Sequence, residues 1–264
     1  MQLLPIIRQI REDHPRMSCR VIYHMVTPRY MGRDLFEVFC YSYGFKVVTI
    51  KNHYRTTDSL GVIRFPNLMM SLDELTSVNQ IWVSDITYYL VGGIVSYITF
   101  ILDLYNRKIV GYCVSKTLRT EDTTLQAVQM AIKAEHIARN SNLIIHSDGG
   151  GQYYSKQFTA LTNYYGMRNS MGTSVFENPH AERINGTIKN DYLIPWGQKN
   201  FEELDKMLMK AVYLYNTIRP HQSLNGLSPE QFEDGINNGL LTKTWLINKK
   251  KKVTKKEKVN INII

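Results

Sequence analysis

The sequence predicts an α/β fold: a mixed five-stranded sheet with flanking helices on both faces, preceded by a small helical segment. Three observations carry that expectation. Near Gln80 the chain passes into three consecutive runs rich in β-branched and aromatic residues, Ile81–Val91, Ile94–Leu102 and Lys108–Ser115, separated by turn signals at Gly92-Gly93 and Asp103–Arg107. Two shorter strands, Leu143–His146 and Met167–Ser170, then alternate with helical stretches. The 264 residues are 44% hydrophobic, enough apolar material for one ordinary core and a small satellite.

Leu3, Ile6, Ile7 and Ile10 recur at helical spacing up to Asp13, and His14-Pro15 ends the pattern. Ser18 is a cap for a second helix through Met25, stopped by Thr27-Pro28, and a third from about Gly32 to Tyr43 stops at Gly44, a natural left-handed residue. Three short helices suit a helix-turn-helix and equally a small packing unit. Lys51–Thr76 reads as a linker wrapped on a neighbour. Within the sheet region, helices are expected over Thr120–Ala138 and Ser155–Tyr165. Asn178 as N-cap and Pro179 at the first helical position open a helix from His180 to about Leu193. Phe201–Asn216 follows with an apolar stripe. The organisation is therefore a helix-turn-helix-like segment at 1–50, a linker at 51–79, a core with C-terminal helices at 80–238, and a basic tail at 239–264 expected to be disordered.

Several function classes drop out. Three well-separated cysteines (Cys19, Cys40, Cys113) fit neither a disulfide framework nor C-x-x-C zinc spacing and read as reduced cytosolic thiols. Ile86–Leu102 is uncharged, but Gly92-Gly93 divides it, so two strands explain it better than a membrane span. The start lacks the pattern of a secretory signal. The net charge of +9 suggests a polyanionic partner, yet the last 24 residues hold eight basic groups and one acid, leaving only +2 for the rest.

Chemistry enters through three acids. Asp85 lies mid-strand in Ile81-Trp82-Val83-Ser84-Asp85-Ile86-Thr87-Tyr88-Tyr89, where an uncompensated carboxylate is costly. Asp148 sits where a strand runs out into Gly149-Gly150-Gly151, the usual ligand-presenting end in open α/β sheets. Glu182 falls in the first turns of a helix, where the dipole favours an anion. Each has an ordinary alternative: a partner for a core arginine, an Asx turn, a helix-start acid. Together they suit two Mg²⁺ ions about 4 Å apart, the arrangement for in-line phosphoryl transfer. No Walker loop or H-E-x-x-H competes.

The residues around these acids also carry a resemblance. Trp82-Val83-Ser84-Asp85-Ile86-Thr87-Tyr88, Leu102 to Gly111, His146-Ser147-Asp148-Gly149-Gly150-Gly151-Gln152-Tyr153, Glu177 to Lys189, Tyr215-Asn216-Thr217-Ile218-Arg219-Pro220-His221 and Leu227-Ser228-Pro229 resemble the OrfB transposases of the bacterial IS-three insertion sequences over about residues 80–235. The resemblance implies a retroviral-integrase, ribonuclease H-like core whose DDE triad is Asp85, Asp148 and Glu182. It also implies Mg²⁺ as cofactor, with Mn²⁺ able to substitute, and cleavage of transposon ends followed by strand transfer. Implied partners are double-stranded DNA, terminal repeats and target, and further copies of the chain. Location would be the cytoplasm, at the nucleoid. One departure is the 33-residue interval between Asp148 and Glu182, against about 35 in the family, with the shortfall at Met171–Phe176, in a loop that tolerates deletion.

Secondary candidates follow from placement. Lys189, two turns after Glu182, could meet the DNA backbone or be an ordinary surface lysine. Arg20, Arg29 and Arg33 are the phosphate-contact candidates of the N-terminal helices. His146 shares a strand face with Asp148 and could orient it, although a satisfied core histidine is the simpler reading. Gln152 and Tyr153 are expected to order the loop after Asp148, and Arg183 to be structural. The competing functions are a ribonuclease H-like nuclease and a catalytically silent DNA-binding remnant. Deleting residues 241–264 should weaken duplex binding and flatten its salt dependence in a filter-binding titration, while metal-dependent cleavage persists.

Overall fold

In the computed structural model, which describes residues 3–47, 64–172 and 178–247, the N-terminal helices form where their caps stand. They are α1 (Leu3–Asp13), α2 (Cys19–Val26) and α3 (Arg33–Ser42). The Ser18 hydroxyl accepts from the Val21 N–H, and Gly44 takes φ +78° after α3. These helices bury Ile7, Met17, Ile22, Phe36 and Cys40 in a core of their own. Residues 27–32 connect α2 to α3, a longer link than the three or four residues usual in a helix-turn-helix.

The short β1 (Glu74–Leu75) precedes a sheet of β2 (Ile81–Val91), β3 (Ile94–Asp103), β4 (Ile109–Ser115), β5 (Ile144–Ser147) and β6 (Arg168–Met171). Its order is β4-β3-β2-β5-β6. The first three strands are antiparallel, and β5 and β6 add parallel to β2. This mixed order is the ribonuclease H-like arrangement. Gly92 (φ +57°) and Gly93 (φ +77°) close the β2–β3 hairpin, whose right-handed strand twist requires positive φ at both loop positions.

Strand alternation divides the core. Ile81 and Val83 face one side with α6 (Pro179–Thr187), α8 (Phe201–Thr217) and α9 (Pro229–Asn237), while Trp82 and Ile145 face the other with α4 (Thr124–Ala134) and α5 (Lys156–Tyr164). Gly111 lets α4 approach β4: a Cβ there would lie 2.2 Å from the Ala127 carbonyl oxygen. The N-terminal unit docks on the core through the His14 Nδ1 and Tyr192 hydroxyl, 2.9 Å apart, and through Lys210 to Asp13 at 3.2 Å.

Four expectations are corrected. The helix expected over 120–138 is a 3₁₀ turn at Thr120–Asp122 followed by α4, which stops at Ala134. There Glu135 is held by Lys108 at 3.1 Å and by Asn79 at 3.3 Å, and the chain turns at His136 with φ +50°. The helix expected to reach Leu193 widens into a π segment over Ile188–Leu193 and resumes as α7 (Ile194–Trp196). The tail is ordered as far as 247: β7 (Trp245–Leu246) pairs antiparallel with β1, and the Trp245 indole donates to the Tyr105 carbonyl at 3.0 Å. Finally, α9 was not anticipated, although Ser228 and Gln231 form a capping box around Pro229. The interval at Met171–Phe176 lies largely, and the basic run from 248 onward wholly, outside the described residues. Among the described residues no helix is long and apolar enough to cross a membrane.

Asn216 closes the open end of β4. Its side chain donates to the Ile109 carbonyl and accepts from the Ile109 N–H, both at 2.9 Å, replacing a strand partner. Asn216→Ala strands both buried backbone groups, so a loss of about 2–4 kcal/mol is expected in the urea unfolding midpoint.

Candidate active site

Parallel pairing aligns the first two acids. Trp82 is opposite Ile145 and Val83 opposite His146, and the same register carried two residues further sets Asp85 beside Asp148. Adjacent strands lie about 4.8 Å apart, so both carboxylates leave the same face of the sheet as near neighbours. That face is the one covered by α6, which carries Glu182.

Among the described residues no arginine pairs with Asp85. Its Oδ1 accepts from the Ile86 N–H at 2.9 Å and its Oδ2 from the Asn185 amide at 2.7 Å. Burial first, and then the Asp148 carboxylate, push the Asp85 pKa up to about 7; Glu182 adds to the rise, while the two N–H donors oppose it. Asp148 is also raised by burial, against the Gly150 N–H donated to its Oδ1 at 3.1 Å. The Asx turn foreseen as its ordinary role is therefore present, and it fixes the carboxylate at the strand end.

Glu182 is exposed, and its side chain has no hydrogen bond among the described residues. Three acids thus share one electrostatic neighbourhood, two held by the backbone and one on a long free side chain. Among the described residues no three acid, histidine or cysteine side chains stand close enough to chelate an ion as placed. The donor set itself is all carboxylate, the chemistry of a hard divalent cation such as Mg²⁺ or Mn²⁺ rather than of a soft metal.

The helix start is fixed differently from the sequence expectation. Asn178 occupies the N-cap position, but its side chain makes no cap; it donates instead to the Ser84 carbonyl at 2.9 Å, riveting α6 to β2 one residue before Asp85. Asn185, one turn beyond Glu182, makes the second rivet through Asp85. Neither contact was foreseen. An asparagine at i+3 from a candidate acid was the available signal.

Lys189 lies on the same stripe of the helical run, half-buried. Its ammonium donates to the Tyr88 carbonyl at 2.8 Å and the Thr87 hydroxyl at 3.2 Å, and it sits 5.0 Å from the Tyr88 ring centroid. Burial lowers its pKa and the Asp85 charge works against that. His146 is fully buried, with Nδ1 2.9 Å from the Ser170 hydroxyl on β6. Gln152 donates to the Leu118 carbonyl at 2.9 Å, and the buried Tyr153 hydroxyl meets Ser84 at 2.8 Å, so both hold the loop after Asp148. The N-terminal candidates lie apart from this group. Arg20 pairs with Glu37 and Arg33 with Asp34 at the surface, and Arg29 is exposed after α2.

Two models of the integrase core domain match the chain, over residues 76–174 and 168–229. Among curated proteins the chain is similar to an uncharacterized 31 kDa protein of insertion element IS600 from Shigella sonnei, with 30% identity over 64% of this chain and 62% of that protein. It is also 30% identical to the transposase InsF for insertion sequence IS3A of Escherichia coli, over 59% of this chain and 54% of that protein. A putative transposase of IS986/IS6110 from Mycobacterium tuberculosis matches at 30% over 59% and 58%. The chain thus spans about three fifths of the length of the curated relatives it matches. Residues 76–229 match the integrase core domain, and the relatives named here are proteins of insertion sequences.

Proposed function

We propose that the chain is a DNA transposase that cuts insertion-sequence ends and joins them to target DNA by phosphodiester transesterification, with Asp85, Asp148 and Glu182 as catalytic residues. The observation that supports it most strongly is the β2–β5 register, which sets two half-buried carboxylates side by side on the face that α6 covers with a third. Their roles are those of ligands. Asp85 and Asp148, held by backbone N–H groups, would fix the position of a divalent cation, and Glu182, free to swing, would close the set. Two Mg²⁺ or Mn²⁺ ions there would supply Lewis-acid stabilisation of the attacking and leaving oxygens of an in-line displacement.

The chain's own residues do the rest. Asn185 orients the Asp85 carboxylate and keeps it from being protonated more readily still. Asn178 holds α6, and so Glu182, at a fixed distance from β2. Lys189, tethered beside Tyr88, presents a cation next to the acids where a scissile strand would pass. Arg20, Arg29 and Arg33 would add phosphate contacts from the N-terminal helices. The protein would work as a multimer bridging paired terminal repeats, in the cytoplasm at the nucleoid.

Incubation of the intact protein with duplexes carrying the flanking inverted repeat and Mg²⁺ or Mn²⁺ should yield nicked and strand-joined products. Asp148→Asn should lose those products while retaining duplex binding; cleavage that survives the substitution overturns the assignment. A cation must displace the proton that the Asp85 environment retains near pH 7, so metal binding should weaken as pH falls through that value. Asn185→Ala removes a donor that lowers the Asp85 pKa, so the midpoint of Mn²⁺ binding, followed by calorimetry, should move to higher pH and the affinity at pH 7 should drop about tenfold.

A further inference from the structure

A second site lies behind the acids. A cavity of about 330 Å³ opens on the opposite side of α6, lined by His180 and Arg183 from that helix, by Arg107 from the β3–β4 turn, and by Tyr215 and His221 from α8 and the segment after it. Helical geometry separates the two faces: Glu182, Asn185 and Lys189 share one stripe, and His180, Arg183 and Ile184 the other.

The polar lining is rich in donors and, among the described residues, holds no carboxylate. Arg107 adopts φ +62°, stacks 4.9 Å from the Trp245 ring centroid, and has no ion pair among the described residues. The carboxylate nearest in effect, Asp103, already accepts from the N–H groups of Asn79 and Tyr105 at 2.6 and 2.7 Å. Arg107 also lies 3.1 Å from the His180 Nδ1. A guanidinium can only donate, so Nδ1 accepts and the imidazole carries its proton on Nε2, a further donor. The His221 ring differs: one nitrogen donates to the Tyr215 carbonyl, which leaves the buried Nε2 as an acceptor and His221 as a wall of the cavity rather than a donor. Burial beside the arginines lowers both histidines to about 4. Two guanidinium groups with unused donors, flanked by the His180 Nε2–H and without a counter-charge among the described residues, are the chemistry that recognises a tetrahedral oxyanion.

We propose that this cavity binds a phosphate group, gripped by Arg107 and Arg183, with the His180 Nε2–H as a further donor. The inference deepens the function proposed above, because the backbone of bound DNA is one source of such a group; free phosphate or a mononucleotide is the other. A helix with its side chains is about 10 Å thick, so this phosphate belongs to a different nucleotide from the one cut at the acids.

The test titrates the full chain with inorganic phosphate by calorimetry at low ionic strength. Arg183→Gln and Arg107→Gln should each weaken binding about fivefold or more, while Arg168→Gln, an exposed arginine on β6, should leave it unchanged. Arg183 is exposed, so its replacement does not depend on tolerance of a buried change. Phosphate binding by Arg183→Gln as tight as in the parent overturns the proposal, as does a parent that binds no phosphate. In duplex binding, a log–log salt slope lowered by about 0.9 in Arg183→Gln identifies the DNA backbone as the source. An unchanged slope together with lost phosphate binding identifies the free anion, and still supports the site. Absence of metal-dependent cleavage in a parent that binds phosphate through these arginines removes the transposase reading and leaves the cavity standing.

Discussion

The parallel pairing of β2 with β5 is the constraint on which the site depends. It brings together Asp85 and Asp148, 63 positions apart in the chain, on one face of a sheet whose neighbouring positions are Ile81, Val83 and Ile144. Partial burial of two neighbouring like charges opposes folding, and it pushes the pKa of both carboxyls up. The surrounding structure overcomes it with a continuous apolar core on both faces of the sheet and with fixed N–H donors from Ile86, Gly150 and Asn185. A site assembled in this way is rigid in its first two members and adjustable in its third.

Helix α6 serves three surfaces at once. Two asparagines rivet it to β2, its other face lines the basic cavity, and its continuation carries the contact to the N-terminal helices. The π segment makes the last of these possible. Its wider turn lets Ile188, Tyr192 and Leu193 all face the core, while Arg219 binds Asp191 at 2.6 Å and meets the Tyr192 hydroxyl at 3.5 Å. Tyr192 in turn meets His14, so the helical unit is coupled through one buried ring to the helix that carries Glu182.

Local signals made much of the fold legible. The Gly92-Gly93 hairpin, the Ser18 cap and the stripe of α8 each depend on residues within one turn or one strand of each other, and the structure places them as expected. Elements that long-range contacts end or create were not legible. Helix α4 stops where Glu135 meets Lys108, and β7 exists because Trp245 finds Tyr105 and Arg107 140 and 138 positions earlier. Asn178 shows the same limit at one residue. Its type and position suit a cap, yet a backbone carbonyl from β2 captures its amide.

The sequence by itself determined the helices, the strands and the three acids, because propensity, capping and alternation act over a few residues and a mid-strand aspartate is conspicuous wherever it occurs. Only the tertiary structure decided which face the acids share, that Asn185 rather than an arginine holds Asp85, and that Arg107 and Arg183 meet across a cavity. Those outcomes follow from strand register and helix packing. Both are settled by the summed burial of residues far apart in the chain, which no local pattern encodes.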